Sequence, residues 1–188
     1  MIKFISASIF CTFCHTALAA NLSNEKTMRL NFAKDFDLRQ IQINNDTVMG
    51  GLSSSRISIN NNAVNFSGLV SLDNNGGFAS TQFNLIDDIP YAIRCKLIVK
   101  GDGKRYQLRL KTAALQFGEA FIAEFTTLDG EISEHIFTID DFRIGFRGRT
   151  IQNGPALDFA KVKQVGILIA DKQQGSFSID LHTVAFEQ

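Results

Sequence analysis

The sequence predicts an all-β domain, an antiparallel sandwich or barrel of about ten short strands. Short runs of β-branched and aromatic residues alternate with turn-forming residues, and no segment sustains a helical period. Phenylalanine is abundant, with 17 copies against no Trp, which indicates a phenylalanine-rich core. At 188 residues, the chain is long enough to bury that core in one domain.

The first 19 residues are predicted to be a secretory signal peptide. Lys3 supplies a positive start, residues 4–13 are uncharged and mostly apolar, and Ala17-Leu18-Ala19 places small residues where a signal peptidase cleaves. The apolar run is too short for a comfortable membrane span, and a mitochondrial presequence would contain more Arg. We therefore expect secretion across the inner membrane, a periplasmic or extracellular location, and no transmembrane segment in the mature chain.

Removal of this leader changes the charge and the cysteine content. The whole chain has 19 basic and 19 acidic side chains, so loss of Lys3 leaves a slightly negative mature protein. That balance argues against a nucleic-acid or acidic-membrane partner held by bulk electrostatics. Cys11 and Cys14 have a redox or metal spacing but lie in the leader, so Cys95 alone remains and no intrachain disulfide is expected.

Residues 20–37 are interpreted as a polar lead-in with a short helical turn around Phe32 to Phe36, and residues 38–188 as one β-sandwich domain. Within that domain, apolar runs bounded by turn residues mark the strands. The predicted strands cover residues 39–43, 56–59, 63–71, 78–83, 93–100, 106–111 and 121–125, then a run that ends at Phe137, and finally 164–170 and 175–186. The triplet Asn60-Asn61-Asn62 is predicted to join the second and third strands as a hairpin.

Apolar and polar residues alternate on both sides of a turn at Gly101-Asp102-Gly103. Residues on the buried side are predicted to be Ile93, Cys95, Leu97 and Val99 before the turn, and Tyr106, Leu108 and Leu110 after it. The segment is therefore predicted to be a hairpin with one wet face, formed by Gln107, Arg109 and Lys111 in its second strand. Further on, residues 140–150 are interpreted as an irregular loop, 156–161 as a helical turn, and 164–170 as a central strand.

Two glycine pairs lie in polar segments between predicted strands. Gly50-Gly51 lies within residues 44–53, and Gly76-Gly77 lies within residues 73–80. Adjacent glycines supply positive φ without steric cost and allow another backbone or a ligand to come close. The second segment has oxygen-bearing side chains suited to calcium, but it lacks the ligand spacing and distal Glu of a calcium loop. A turn stabilised by Asn and Asp side chains is the favoured interpretation.

Catalytic and cofactor patterns are incomplete in this sequence. Gly101-x-Gly103 lacks the third glycine and the following helix of a dinucleotide site. Gly51-x-Ser53 loosely resembles the start of a serine nucleophile elbow, but the second glycine of that motif is missing. His135 and His182 do not stand at a metal-ligand spacing. We therefore expect no enzyme activity, no cofactor and no metal.

Arg143, Arg147 and Arg149 cluster near the end of the predicted loop. Guanidinium groups bind carboxylate or phosphate bidentately, so an anion site is one interpretation of this cluster. The favoured interpretation is structural, in which these groups pair with nearby carboxylates at Asp140, Asp141 and Asp158.

Seven motifs occur in order between residues 38 and 186. They are Asn45-Asp46-x-Val48-Met49-Gly50-Gly51-x-Ser53, Phe66-Ser67-Gly68, Asn74-Asn75-Gly76-Gly77-Phe78-Ala79-Ser80, Gly101-Asp102-Gly103-x-x-Tyr106, Asp141-Phe142, Arg147-Gly148-Arg149 and Gly166-x-x-x-x-Asp171-Lys172-Gln173-x-Gly175-x-Phe177. Together they resemble the complex I intermediate-associated protein 30 family, in a secreted bacterial-type form. One position departs from the family pattern, because Ile41 stands where a Trp is usual.

The resemblance implies a galactose-binding-like β-sandwich of the jelly-roll type. The mitochondrial members of the family are assembly factors, or chaperones, for NADH:ubiquinone oxidoreductase, so the resemblance also implies a role of that kind. One function class is a module that binds protein partners, respiratory-complex subunits among them. The alternative is a carbohydrate- or small-ligand-binding sandwich, although the chain has no Trp and two Tyr for a sugar platform. In either class, the candidate binding residues are Asp46, Asn74, Asn75, Asp102, Arg147 and Arg149. The competing interpretation is that these residues fix turns and packing.

Overall fold

The computed structural model describes residues 27–60 and 62–188, which form two antiparallel sheets packed face to face. The predicted signal peptide, its two cysteines and most of the lead-in lie outside the described residues. Within those residues the strands are β1 (Met28–Asn31), β2 (Gln42–Asn45), β3 (Ser54–Asn60), β4 (Ala63–Val70), β5 (Ala79–Asn84), β6 (Arg94–Lys100), β7 (Arg105–Thr112), β8 (Ala120–Thr126), β9 (Ile132–Phe137), β10 (Arg143–Phe146), β11 (Arg149–Thr150), β12 (Val162–Ile169) and β13 (Gly175–Glu187). The predicted all-β jelly-roll sandwich is confirmed.

The strands divide into a six-stranded and a seven-stranded sheet. The six-stranded sheet has the order β3-β4-β13-β6-β9, with β1 also paired to β13, and the seven-stranded sheet has the order β11-β10-β8-β7-β12-β5-β2. Strand β12 lies between β7 and β5, which confirms that the apolar run at residues 164–170 is a central strand. Strands β3 and β4 pair as the predicted hairpin.

The core lies between the sheets and follows the predicted period of two. Leu97 from β6 and Leu108 from β7 are fully buried, while Arg109 and Lys111 point away from the core. Ile93 is an exception to the predicted buried set, because it precedes β6 and is 47% exposed.

The sandwich begins before the predicted boundary at residue 38. Strand β1 pairs with β13, and Phe32 and Phe36 behind it are buried in the core, with ring centroids 5.1 Å apart. The segment from Phe32 to Phe36 makes a single turn, in which the Lys34 and Asp35 N–H groups donate to the Asn31 carbonyl at 3.2 and 2.9 Å. The sequence signal for strand β1 is weak, because β1 has only four residues and none of them is fully buried.

The predicted hairpin across Gly101-Asp102-Gly103 is wrong. Strand β6 pairs with β9 and β13 in one sheet, whereas β7 pairs with β8 and β12 in the other. The turn therefore carries the chain across the sandwich. Alternation identifies the buried face of each strand correctly but contains no information on which neighbour the strand pairs with.

Residues 140–150 are not an irregular loop, because they contain the edge hairpin of β10 and β11. Phe146 pairs with Arg149 across a two-residue turn in which Arg147 and Gly148 have φ of 48° and 75°. Two successive positive φ values match the tight hairpin turn that fits strand twist. Arg is an uncommon first residue of such a turn, which explains why no hairpin was predicted here.

Candidate functional site

Asp46 is the buried centre of the two glycine-containing loops. Its carboxylate accepts hydrogen bonds from the backbone N–H groups of Ser53 at 2.9 Å, Gly77 at 2.6 Å and Phe78 at 3.2 Å, and from the Ser53 hydroxyl. Burial alone would raise the pKa of the Asp46 carboxyl, but these hydrogen bonds outweigh burial and lower that pKa below its ordinary value. Asp46 therefore holds the loops together as a structural anion.

The glycines in both loops leave room for this carboxylate. A Cβ atom at Gly51 would lie 2.3 Å from Asp46 Oδ1, and one at Gly76 would lie 2.6 Å from Asp46 Oδ2. Gly50 has a different role, because its φ of 88° ends the short 3₁₀ helix Asp46–Met49. The glycine pairs thus combine a left-handed turn with close approach of another group. That group is the Asp46 carboxylate of the protein itself.

Around this buried carboxylate, the loops present apolar side chains to solvent. Val48, Met49 and Leu52 are 73%, 54% and 57% exposed. Their backbone is fixed, because the Gly51 N–H donates to the Asp46 carbonyl and the Asn74 side chain donates to the Gly50 carbonyl. We call residues 46–53 and 73–78 together the loop platform.

Asn74 and Asn75 form the outer rim of the loop platform. Both are exposed and have left-handed φ values of 54° and 58°, a conformation that Asn tolerates better than most residues. Asn74 Nδ2 lies 3.1 Å from the Gly50 carbonyl and so ties the second loop to the first. Both residues shape the turn, and their exposure also leaves them accessible to a partner.

Asp102 lies in the connection from β6 to β7 and has a structural set of contacts. It accepts hydrogen bonds from the Tyr106 hydroxyl at 3.0 Å, the Lys104 N–H at 3.2 Å and the Ser178 N–H at 2.9 Å. Tyr106 is fully buried, and burial together with the neighbouring Asp102 charge raises the pKa of its hydroxyl. These bonds fix the crossing between the two sheets.

Tyr106→Phe tests this structural role of Asp102. We expect it to lower the free energy of unfolding by about 1–2 kcal/mol, because one hydrogen bond to a charged acceptor is lost. Urea unfolding followed by circular dichroism measures the change. Tyr91→Phe, at a 69% exposed tyrosine, is the matched control and should leave stability unchanged. Equal stability of both variants would show that the Tyr106–Asp102 bond contributes nothing.

The arginine cluster does not pair with the predicted carboxylates. Arg143 instead pairs with Glu124 on β8. Arg147 lies with its guanidinium carbon 5.2 Å from the centre of the Phe146 ring, a cation–π contact. Within the described part of the chain, Arg147 and Arg149 join no ion pair. The interpretation of three Arg–Asp pairs is therefore wrong, and two of these cations are exposed.

The six candidate binding residues do not converge on one site. Asp46, Asn74 and Asn75 belong to the loop platform, beside the Ala79 end of β5. Arg147 and Arg149 lie on the opposite edge of the seven-stranded sheet, at the end where Gly145 pairs with Ala120. Asp102 stabilises the connection between β6 and β7, where the chain passes from one sheet to the other. The structure thus separates the predicted set into a loop platform and a distant basic hairpin.

A second polar surface covers the outer side of the seven-stranded sheet. Gln82, Gly166 and Arg109 lie side by side on β5, β12 and β7, and Asn84, Gln164 and Lys111 form the neighbouring row. Gly166 is buried between Gln82 and Arg109, whose side chains pack closely beside it. We call this surface the polar face; its residues are Gln42, Gln82, Asn84, Gln107, Arg109, Lys111, Gln164 and Gly166.

Hydrogen bonds order the side chains of the polar face. Gln164 Nε2 donates to Asn84 Oδ1 at 2.7 Å, and Lys111 Nζ donates to Gln82 Oε1 at 3.1 Å. Alternation along β7 predicted a wet face with Arg109 and Lys111 on it but indicated no role for them. The neighbours on β5 and β12 are far away in sequence, so only the strand register reveals the surface.

Ser53 and His135 each contact a neighbouring side chain of the sandwich. Ser53 is 1% exposed and donates its hydroxyl to Asp46, so no substrate reaches it. Burial lowers the pKa of His135, whose Nε2 lies 2.9 Å from the Ser133 hydroxyl. Among residues 27–60 and 62–188, no three His, Cys, Asp or Glu side chains gather as metal ligands, and no helix is long and apolar enough to span a membrane.

Comparison with known proteins identifies a family by sequence. The model of the family described as complex I intermediate-associated protein 30 matches residues 30–181. No curated protein matches the chain.

Comparison with solved structures finds carbohydrate-binding modules of similar fold. A family 11 carbohydrate-binding module from Clostridium thermocellum, in complex with a β-1,3-1,4-mixed-linked tetrasaccharide, superposes with a TM-score of 0.57 and 18% identity over 84% of this chain and 94% of that one. The xylan-binding module CBM86 from Roseburia intestinalis superposes with a TM-score of 0.50 and 11% identity over 86% of this chain and 96% of that one. At these identities, the similarity extends to the β-sandwich fold.

Proposed function

Because the chain belongs to the complex I intermediate-associated protein 30 family, we propose that it is a non-catalytic module that binds a protein partner as an assembly factor does. The observation that carries this proposal is the loop platform, where Val48, Met49 and Leu52 are exposed on a backbone fixed from beneath by Asp46. Exposed apolar side chains that cluster on a folded domain commonly mark an interaction surface.

The loop platform has an ordered backbone, which favours the interpretation of its exposed apolar side chains as a binding surface. An ordered backbone loses little conformational entropy when a partner docks, so the apolar contacts contribute more of their free energy to affinity. Asn74 and Asn75 surround the apolar centre with polar groups, in the arrangement usual for protein interfaces.

The proposed partner is a subunit of NADH:ubiquinone oxidoreductase or of another envelope complex. The predicted signal peptide supports a location in the periplasm or outside the cell, where the loop platform would meet parts of a complex that project from the membrane. The proposal requires no reaction, because an assembly factor acts by holding its partner.

Affinity capture tests the protein-binding proposal. The tagged protein is recovered from gently solubilised envelopes of the cells that produce it, and captured proteins are identified by mass spectrometry. We expect enrichment of respiratory-complex subunits over an untagged strain, and at least a tenfold loss of that enrichment for Val48→Ser/Leu52→Ser, because the variant removes apolar contact area without touching the core.

The matched control is Ile86→Ser, which removes another exposed apolar side chain, 76% accessible and outside the loop platform. It should fold and capture as the native protein does. Capture that survives the double variant would show that the loop platform is not the interface. Capture of no envelope protein by the native chain would contradict the assembly role itself.

A carbohydrate-binding function is the second candidate, and the polar face favours it. Amide side chains on neighbouring strands offer paired donors and acceptors, which suit sugar hydroxyls. Phe117, in the β7–β8 connection at the Lys111 end of that face, is fully exposed and offers the aromatic surface that the missing Trp residues do not. The solved modules of similar fold bind a β-1,3-1,4-mixed-linked tetrasaccharide and xylan, which is the precedent for this candidate.

A further inference from the structure

The polar face contains two basic side chains without acidic partners. Arg109 and Lys111 lie on the same side of β7, separated by one residue, and both are partly buried. Across the two described ranges, 27–60 and 62–188, neither takes part in an ion pair. Their hydrogen-bond acceptors are neutral amides, Gln107 for Arg109 at 3.4 Å and Gln82 for Lys111 at 3.1 Å.

The charge on this side of the sheet is therefore positive and not compensated locally. Glu124 is the neighbouring carboxylate, opposite Gln107 on β8, but it already pairs with Arg143. Burial lowers the pKa of the Arg109 guanidinium, and burial together with the Arg109 charge lowers the pKa of Lys111. Partly desolvated cations that repel one another gain stability when an anion arrives.

Gly166 lies between Gln82 and Arg109 on the polar face, and neighbouring atoms pack closely around it. A Cβ atom there would lie 3.0 Å from the Thr81 carbonyl oxygen, 3.3 Å from Gln82 Cγ and 3.6 Å from Arg109 Cβ. No side chain of β12 therefore stands between Gln82 and Arg109. A guanidinium that is bonded to a neutral amide and not to a carboxylate can bind a carboxylate through two parallel hydrogen bonds, and the adjacent ammonium adds a second charge.

The groups around the two cations indicate what carries the carboxylate. Gln42, Gln82, Gln107, Asn84 and Gln164 extend over β2, β5, β7 and β12, across a sheet whose strands lie about 4.8 Å apart. A surface that is polar and hydrogen-bonding over several strands suits an extended, hydroxyl-rich ligand better than a compact ion.

We infer that the polar face binds an acidic oligosaccharide, with the carboxylate of a uronic acid unit paired to Arg109 and Lys111 and its hydroxyls bonded to the surrounding amides. This inference rests on the second candidate function, carbohydrate binding, and specifies its ligand class. It is independent of the loop platform, which lies at the Ala79 end of β5, and of any protein partner bound there.

Titration calorimetry of the intact protein with oligogalacturonate and with a neutral β-1,3-1,4-glucan oligosaccharide tests the inference. We expect tighter binding of oligogalacturonate, and binding that weakens as sodium chloride is raised, because the contact is between charges. Arg109→Gln and Lys111→Gln should each weaken oligogalacturonate binding by about 10- to 100-fold. Thermal unfolding of each variant confirms that it is folded.

Arg56→Gln is the matched control, since it removes one exposed cation from β3 in the other sheet and should leave affinity unchanged. Equal affinity for the two oligosaccharides, or oligogalacturonate binding that survives both variants, would overturn the inference and leave carbohydrate binding standing. Binding of neither oligosaccharide would overturn the inference and count against carbohydrate binding as a whole.

Discussion

Asp46→Asn is expected to destabilise the protein by about 3 kcal/mol or more, which corresponds to a fall in Tm of about 6–12 °C. Every group that contacts the carboxylate is a donor, namely three backbone N–H groups and the Ser53 hydroxyl. An amide has one oxygen, so either orientation of the substituted side chain places its NH₂ group against a donor. The replacement keeps the volume and leaves buried donors without an acceptor.

Chemical and thermal unfolding measure this change, with Asp87→Asn, an exposed aspartate, as the matched control. The pH dependence supplies a second readout. Because folding lowers the pKa of Asp46, its contribution is complete above the unfolded value near 3.8 and is lost as the pH falls through the lower folded value. The native protein should therefore lose stability more steeply in acid than Asp46→Asn. Parallel profiles, or equal stability at pH 7, would refute the role assigned to Asp46.

Gly51→Ala is expected to lower the free energy of unfolding by about 3 kcal/mol, about as much as Asp46→Asn does. The added Cβ would lie 2.3 Å from Asp46 Oδ1, and the carboxylate cannot withdraw without breaking its four hydrogen bonds. Gly50→Ala is the matched comparison in the adjacent position. It has φ of 88° but nothing within 4 Å of the new atom, so only the backbone cost of about 1–2 kcal/mol applies.

A double-mutant cycle isolates the contact between Gly51 and Asp46. The added atom would lie 2.3 Å from Asp46 Oδ1 and also 2.8 Å from Asp46 Cβ, so the background is Asp46→Gly, in which the whole obstructing side chain is absent. In that background Gly51→Ala should cost much less than in the native protein. Urea unfolding of the four proteins gives the coupling free energy. Additive effects, or a larger loss for Gly50→Ala than for Gly51→Ala, would show that close packing against Asp46 is not the reason for the glycine.

The sequence predicted local features of the fold well. Alternation identified Leu97 and Leu108 as core residues, and the apolar run at residues 164–170 as a central strand, because burial acts on each strand separately. The resemblance to a family supplied the jelly-roll architecture, which local periodicity left open between sandwich and barrel. Turn residues correctly placed the β3–β4 hairpin, since its two strands are consecutive in the chain.

Features that depend on distant pairing were not accessible to the same reasoning. The turn after β6 resembles a hairpin turn, yet its flanking strands have better partners in separate sheets. Asp46 was chosen as a surface contact, whereas its burial depends on Gly77 and Phe78, some thirty residues later. The polar face assembles from β5, β7 and β12, so its two cations came together with the surrounding amides only through strand register.

The pairing of β1 with β13 has a practical consequence for handling the domain. Met28 lies opposite Phe186, so the beginning and the end of the sandwich are neighbours. The loop platform adjoins the other end of β13, where Gly175 pairs with Val70, roughly 35 Å along the strand at its usual rise. Immobilisation through a tag at residue 188 would therefore leave the platform facing away from the support. Circular permutation that joins these neighbouring ends and opens the chain at the exposed Phe117 connection is a practical design for this domain.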